Sequence, residues 1–375
     1  MRRGGGFYIG TALQLAIWQG IAASMSSRLY LDHAATTPVV RQAQAAMADA
    51  LGRWANPSSP HADGRAARAE LENARAAVAD ALGWRHDVIF TSGASEAIAI
   101  VASRAKVGRR LCGATEHDAV MAAIGDGDVI PVDAGGLVEL GELGGALVAI
   151  QHVNNETGVI QPIDEIAEAV RAAGSLWLAD CAQSAGKLPL PDADFIAVSA
   201  HKLGGPPGIG ALLVRDIGTL APSGGQEKGY RRGTENLPAA AGFAAALQAR
   251  AFAEAMPNLA ELRATLEAGI KEAGGSVVAG DCPRVATIGA YAMPGASGAS
   301  QLVQFDLAGI AVSAGSACSS GSMKPSHVLD AMGLPAEIAG TVIRVSFGPQ
   351  TCAADVDRFL AEWRRIARAA GARAA

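Results

Sequence analysis

A lysine stands between two apolar runs in Phe195-Ile196-Ala197-Val198-Ser199-Ala200-His201-Lys202-Leu203-Gly204, with Ile209 to Val214 following. At the mouth of a buried strand the local dielectric is low, so the ammonium form is disfavoured and the nucleophilic neutral amine becomes accessible. Such an amine can form a Schiff base. Most lysines after strands are solvated loop residues, so Lys202 needs support from elsewhere. The second nucleophile is Cys318, in Ser313-Ala314-Gly315-Ser316-Ala317-Cys318-Ser319-Ser320-Gly321-Ser322. Free cysteines are usually buried, whereas these small polar neighbours cannot pack around a thiol. An accessible thiol on a pliable loop suits nucleophilic attack and the carrying of a group, an incidental surface cysteine being the alternative.

Other residues suggest partners for such chemistry. Thr91 to Glu96 places a glycine and two serines between a strand and a helix start, where free amides favour an anion such as phosphate; an ordinary serine cap is the alternative. Asp180 ends the apolar run Leu178-Ala179, and Gln183 lies three residues on. A carboxylate there wants a cation, for which a protonated pyridine nitrogen or a structural capping role would both serve. His117, in Thr115-Glu116-His117-Asp118, could stack on a planar group and move protons near neutral pH, or be a solvated loop histidine. Asn155, in Asn154-Asn155-Glu156-Thr157-Gly158, could orient a carboxylate or form a turn. Arg344 interrupts the apolar strand Ile343-Arg344-Val345 and calls for a carboxylate, structural or from a substrate.

The elements that must position these residues are legible. Short apolar runs at Val88 to Phe90, Arg110 to Ala114, Val129 to Val132, Ala146 to Gln151, Leu176 to Ala179, Phe195 to Val198 and Ile209 to Val214 alternate with helical text. That pattern predicts an α/β fold with a mostly parallel sheet covered on both faces. After Val214 come a Gly-rich polar loop from Pro222 to Asn236 and one Ala-rich helical region from Leu237 to Ala273. The last hundred residues mix short strands with helices, including Ser326 to Met332, as expected of a smaller α+β domain. The expected division is an extension over 1–28, a large domain over 29–260 whose segment 29–45 packs with the small domain, and a small domain over 261–375.

At 375 residues, 50% hydrophobic, the chain can bury a large core. A net charge of −5 without a Lys/Arg block argues against nucleic acid or an anionic membrane as the main partner. Five cysteines without ligand spacing suggest neither a disulfide framework nor a metal site, and a reducing cytoplasm fits. Against this, Met1-Arg2-Arg3, the apolar run Phe7 to Trp18 and Ile21-Ala22-Ala23-Ser24 have the outline of a secretory signal. Our reading is an upstream start, with Met25 just ahead of the first core strand.

Taken together, Leu29 to Leu360 resembles the class V group of pyridoxal-phosphate enzymes, and within it the cysteine desulfurases of the NifS/IscS type. The resemblance is carried by Tyr30-Leu31-Asp32-His33-Ala34-Ala35-Thr36-Thr37-Pro38, Asn56-Pro57-Ser58-Ser59, Gly64 to Arg68, Phe90 to Glu96, Thr115-Glu116-His117, His152 to Gly158, Asp180 to Gln183, His201-Lys202, Arg231 to Asn236 and Gly315-Ser316-Ala317-Cys318. It implies the seven-stranded-type sheet of fold-type I enzymes and a covalent link between Lys202 and pyridoxal 5'-phosphate. It further implies Asp180 on the pyridinium nitrogen, His117 stacked on the ring and assisting proton transfer, and Gln183 on the phenolic oxygen. Ala94, Ser95, Ser199 and His201 would hold the phosphate, with Thr234 reaching it from the second subunit of a homodimer. Asn155 would contact both cofactor and substrate, Arg344 would bind the carboxylate of L-cysteine, and Cys318 would take the sulfur as a persulfide and release alanine. A protein acceptor, such as an iron–sulfur scaffold or a tRNA-thiolation protein, would then receive it. The Cys318 loop looks like the NifS/IscS branch rather than the SufS branch.

Departures are Ser95 where threonine is common, Pro207 for a frequent lysine, a compact segment between His117 and His152, and the N-terminal extension. The competing readings are a class V aminotransferase or selenocysteine lyase, which need no thiol, and a non-catalytic binding protein on the same fold.

Overall fold

The computed structural model describes residues 28–53, 55–314 and 325–374. The expectations for residues 1–27 and for Cys318 lie outside the described residues. In chain order the elements begin with β1 (Leu29–Tyr30), α1 (Arg41–Gly52), α2 (Ala62–Ala81), β2 (Asp87–Thr91), α3 (Ala94–Arg104), β3 (Arg109–Gly113), α4 (Asp118–Ile124) and β4 (Asp128–Ile130). There follow β5 (Ala146–Ala149), α5 (Ile163–Ala172), β6 (Leu176–Asp180), β7 (Phe195–Ser199), β8 (Gly210–Val214), α6 (Leu237–Gln248) and α7 (Ala251–Glu272). The chain closes with β9 (Ser276–Val277), β10 (Ile288–Ala292), α8 (Gly298–Leu307), β11 (Ile310–Ala311), α9 (His327–Ala331), α10 (Ala336–Ala339), β12 (Val342–Ser346) and α11 (Ala353–Ala374).

The expected α/β sheet has seven strands in the order β2-β8-β7-β6-β5-β3-β4. The run from β7 to β4 is parallel, and β8 lies antiparallel between β7 and β2. Its strands are apolar throughout because both faces are covered, and alternate residues serve opposite faces. Phe90, Ile196, Val198 and Leu213 pack with Leu71 of α2 and Phe243 of α6. Ile89, Phe195, Ala197 and Leu212 pack with Ile98 and Val101 of α3 and Val120 of α4.

The Ala-rich helical region is built as two helices. Arg250 adopts a left-handed conformation (φ 49°, ψ 21°) between α6 and α7, a break that no glycine or proline at that position announces. Beyond it, β12-β10-β9 form an antiparallel sheet, and Phe359 and Trp363 of α11 pack with Phe305 of α8. β1 pairs in parallel with β11, so the start of the described chain joins the C-terminal part. Among the described residues no helix is long and apolar enough to cross a membrane.

Candidate active site

The C-terminal ends of the parallel strands converge on a cavity of about 500 Å³, which is where open α/β sheets bind ligands. Asp180 is the last residue of β6, Ser199 the last of β7, and Lys202 sits in the short turn after β7. All three line the cavity. The turn is compact because Gly204 takes a left-handed φ of 92° against Val40. Burial holds the Lys202 ammonium below the usual lysine range, and the Asp180 carboxylate opposes that shift. Asp180 also plays the capping part foreseen for it, since its Oδ1 accepts from the Ala182 amide at 2.9 Å.

On one wall the N-terminus of α3 faces the cavity through Ser92, Gly93, Ala94 and Ser95, with Ser199 and His201 beside it. The first amides of a helix have no partner within it, so they offer donors to an anion. Gly210 lets β8 approach this turn, because a Cβ there would run into the Val198 carbonyl and the Gly93 backbone. His201 Nδ1 contacts Thr36 Oγ1 at 3.1 Å.

His117 lines the cavity and caps α4, its Nδ1 accepting from the Ala119 amide at 3.1 Å. A ring nitrogen that accepts an N–H is unprotonated, so the neutral ring carries its proton on Nε2. Burial lowers the His117 pKa, Lys202 lowers it further, and Asp180 and Asp118 oppose. Asn154 and Asn155 take different places. Buried Asn154 makes the turn, its Oδ1 accepting from the amides of Glu156 (2.9 Å) and Thr157 (2.8 Å), whereas Asn155 lines the cavity. Arg344 of β12 reaches in from the C-terminal part, donating Nη1 to the Asn155 carbonyl at 3.0 Å and Nη2 to Asp32 at 2.9 Å.

Of the residues named from sequence, Ala94, Ser95, His117, Asn155, Asp180, Ser199, His201, Lys202 and Arg344 share this one cavity. Gln183 lies behind it, buried, its Nε2 on the Ala34 carbonyl at 2.9 Å and its Oε1 without a partner among the described residues. Thr234 is exposed and does not line the cavity of its own chain. Two lining residues that sequence reasoning missed are Glu156 and His327. Burial pushes the Glu156 carboxyl up, and its Oε2 accepts from Ser326 Oγ at 2.6 Å. The available signal for His327 was its position right after Ser326, a capping residue that follows the Ser/Gly-rich loop.

These residues fit pyridoxal phosphate. A depressed lysine amine, a carboxylate at the end of a strand, and helix amides with serine hydroxyls for an anion meet around one space, and behind it Gln183 holds a buried amide oxygen with no partner among the described residues. Residues 29–359 match the aminotransferase class-V family, and the chain belongs to it. It is 36% identical over 367 residues to a cysteine desulfurase of Cereibacter sphaeroides, covering 89% of this chain and 94% of that protein. It is also 36% identical over 372 residues to an IscS-like cysteine desulfurase of Mycobacterium tuberculosis, covering 88% and 94%. The solved structure of a NifS-like protein from Rickettsia africae superposes with a TM-score of 0.81 at 30% identity, over 90% of this chain and 99% of that one.

Proposed function

We propose that this chain is a pyridoxal-phosphate-dependent cysteine desulfurase. The observation that carries the reading is the convergence of Lys202, Asp180 and the α3 N-terminus on one cavity, in a chain 36% identical to cysteine desulfurases over most of its length. Lys202 would hold the cofactor through its amine, Asp180 would keep the ring nitrogen protonated, and Gln183 would meet the phenolic oxygen. Ala94, Ser95, Ser199 and His201 would hold the phosphate, joined by Thr234 of a second subunit. Bound pyridoxal phosphate supplies an electron sink for charge developing beside the substrate nitrogen.

This chain's own residues do the rest. Asn155 and Arg344 orient the carboxylate of L-cysteine, and His117 moves protons at Nε2, since Nδ1 is taken by the helix cap. The Cys318 thiolate attacks the substrate sulfur. An S–S bond forms, the C–S bond breaks with its electron pair left on carbon, and a proton at that carbon completes alanine. The persulfide is then passed to an acceptor protein, for iron–sulfur assembly or tRNA thiolation, in the cytoplasm. Among the described residues Cys112, Cys181, Cys282 and Cys352 are free thiols, as a reducing compartment requires. The division into a cofactor-binding unit over 29–260 and a smaller unit over 261–375 belongs to the same proposal.

The test is release of alanine and sulfide from L-cysteine in the presence of reductant. Cys318→Ser loses sulfide release and keeps the visible absorbance of lysine-bound cofactor. Undiminished sulfide from that variant would count against Cys318 as the nucleophile and favour the lyase alternative, which needs no thiol.

A further inference from the structure

His327 opens α9 but does not cap it; Ser326 does, its Oγ accepting from the Leu329 amide at 3.1 Å. The imidazole is therefore not needed to start the helix. It lies in the cavity wall, with Nε2 2.8 Å from the Glu116 carbonyl oxygen and Nδ1 3.7 Å from an Asp118 carboxylate oxygen. Because a carbonyl only accepts, Nε2 carries the proton of that hydrogen bond. Nε2 thus holds the residue immediately before His117, and Nδ1 lies beside the residue immediately after it. His117 itself is fixed from the other side by the Ala119 amide on its Nδ1. Next to His327, Ser326 Oγ donates to Glu156 on the loop that presents Asn155. Two consecutive residues at the start of α9 accordingly brace the two loops that deliver His117 and Asn155.

We infer that His327 is a positioning residue for His117: it clamps the Glu116-His117-Asp118 turn so that the His117 ring keeps one orientation toward the cavity. The inference rests on the desulfurase reading. A group that moves protons must be held to a fraction of an ångström, and misplacement slows the chemical step more than it weakens substrate binding.

The test is alanine formation from L-cysteine by the full-length holoenzyme. His327→Leu lowers kcat about tenfold with KM within about twofold of wild type, and leaves the cofactor absorbance unchanged. His327→Gln recovers most of kcat, because its amide N–H still reaches the Glu116 carbonyl. Should His327→Leu fail to fold, His327→Asn, too short for that carbonyl, replaces it with the same expectations. Wild-type kcat in His327→Leu, equal losses in the leucine and glutamine variants, or a loss expressed as poor cofactor retention would each overturn the inference. A wild-type enzyme that forms no alanine would instead overturn the desulfurase reading, and His327's part with it.

Discussion

Arg344 Nη2 and Asp32 Oδ1 are 2.9 Å apart, although the two residues come from opposite ends of the chain. With Nη1 on the Asn155 carbonyl, the guanidinium is already gripped on two sides, and its Nε is buried without a partner among the described residues. A planar fork fixed in this way presents its remaining N–H groups to a substrate carboxylate at little entropic cost, which a lysine cannot imitate. Arg344→Lys should therefore raise KM for L-cysteine about 10- to 100-fold, the worth of one charged hydrogen bond, with a smaller change in kcat. Steady-state kinetics decide. An unchanged KM would mean that Arg344 serves Asp32 alone.

The acid side of the pH profile should be set by His117. Its pKa lies below the ordinary 6.5, through burial first and the Lys202 charge second, so the ring takes up a proton less readily than an ordinary histidine. Protonation would also need Nδ1, which the Ala119 amide occupies. The acid limb of kcat/KM should be centred below pH 6.5. An acid limb centred at or above that value would contradict the assignment.

Lys187 gives a stability prediction. Its side chain is 7% exposed, and its amine lies 4.8 Å from the centre of the Phe252 ring. Burial, aided by the Lys202 charge, brings its pKa from 10.5 down to about 7. Below pH 7 the folded and unfolded states are both protonated and the full cost of burying the charge is present. As pH rises from 7 to 10.5 the unfolded state binds more protons, so stability increases and the cost disappears. Lys187→Met, similar in shape, should raise Tm at pH 6 by on the order of 5 °C, with the gain shrinking toward pH 10. Thermal melts at both pH values test this. A destabilised variant at pH 6 would show that the ring contact outweighs the cost of burial.

Glu227 anchors the loop that carries Thr234. Its Oε2 accepts from Arg75 at 2.6 Å and from the Phe90 amide at 2.8 Å, with the Glu227 side chain fully buried. Removing one partner of such a pair leaves a buried charge uncompensated. Glu72, 3.0 Å from Arg75 and partly exposed, relieves only part of it. Glu227→Gln should cost about 3 kcal/mol in denaturant unfolding. A change within experimental scatter would show that Glu72 suffices.

The sheet was legible because period and length both spoke for it: each apolar run ends within a few residues of the observed strand, and Lys202, Ser199 and Asp180 fall at strand ends as expected. What stayed illegible has physical causes. Arg250 turns the chain by its backbone conformation, and the two-residue strand β11 exists only through its pairing with β1. Glu156 and His327 reach the cavity through tertiary packing, which no local pattern encodes. Asp180 and Asn154 each fill the structural reading given for them, the first capping its own turn inside the cavity wall, the second shaping the loop that presents Asn155.

The pairing of Leu29 with Ile310 also bears on how the protein is made. On the ribosome the first strand emerges long before its partner, and Asp32 long before Arg344, so the parallel sheet can form around a cavity that still lacks its far wall. The part of the cavity wall that holds Arg344 is in place only once β12 has emerged, so a nascent chain stalled before it would have Lys202 and Asp180 at the sheet ends without that guanidinium.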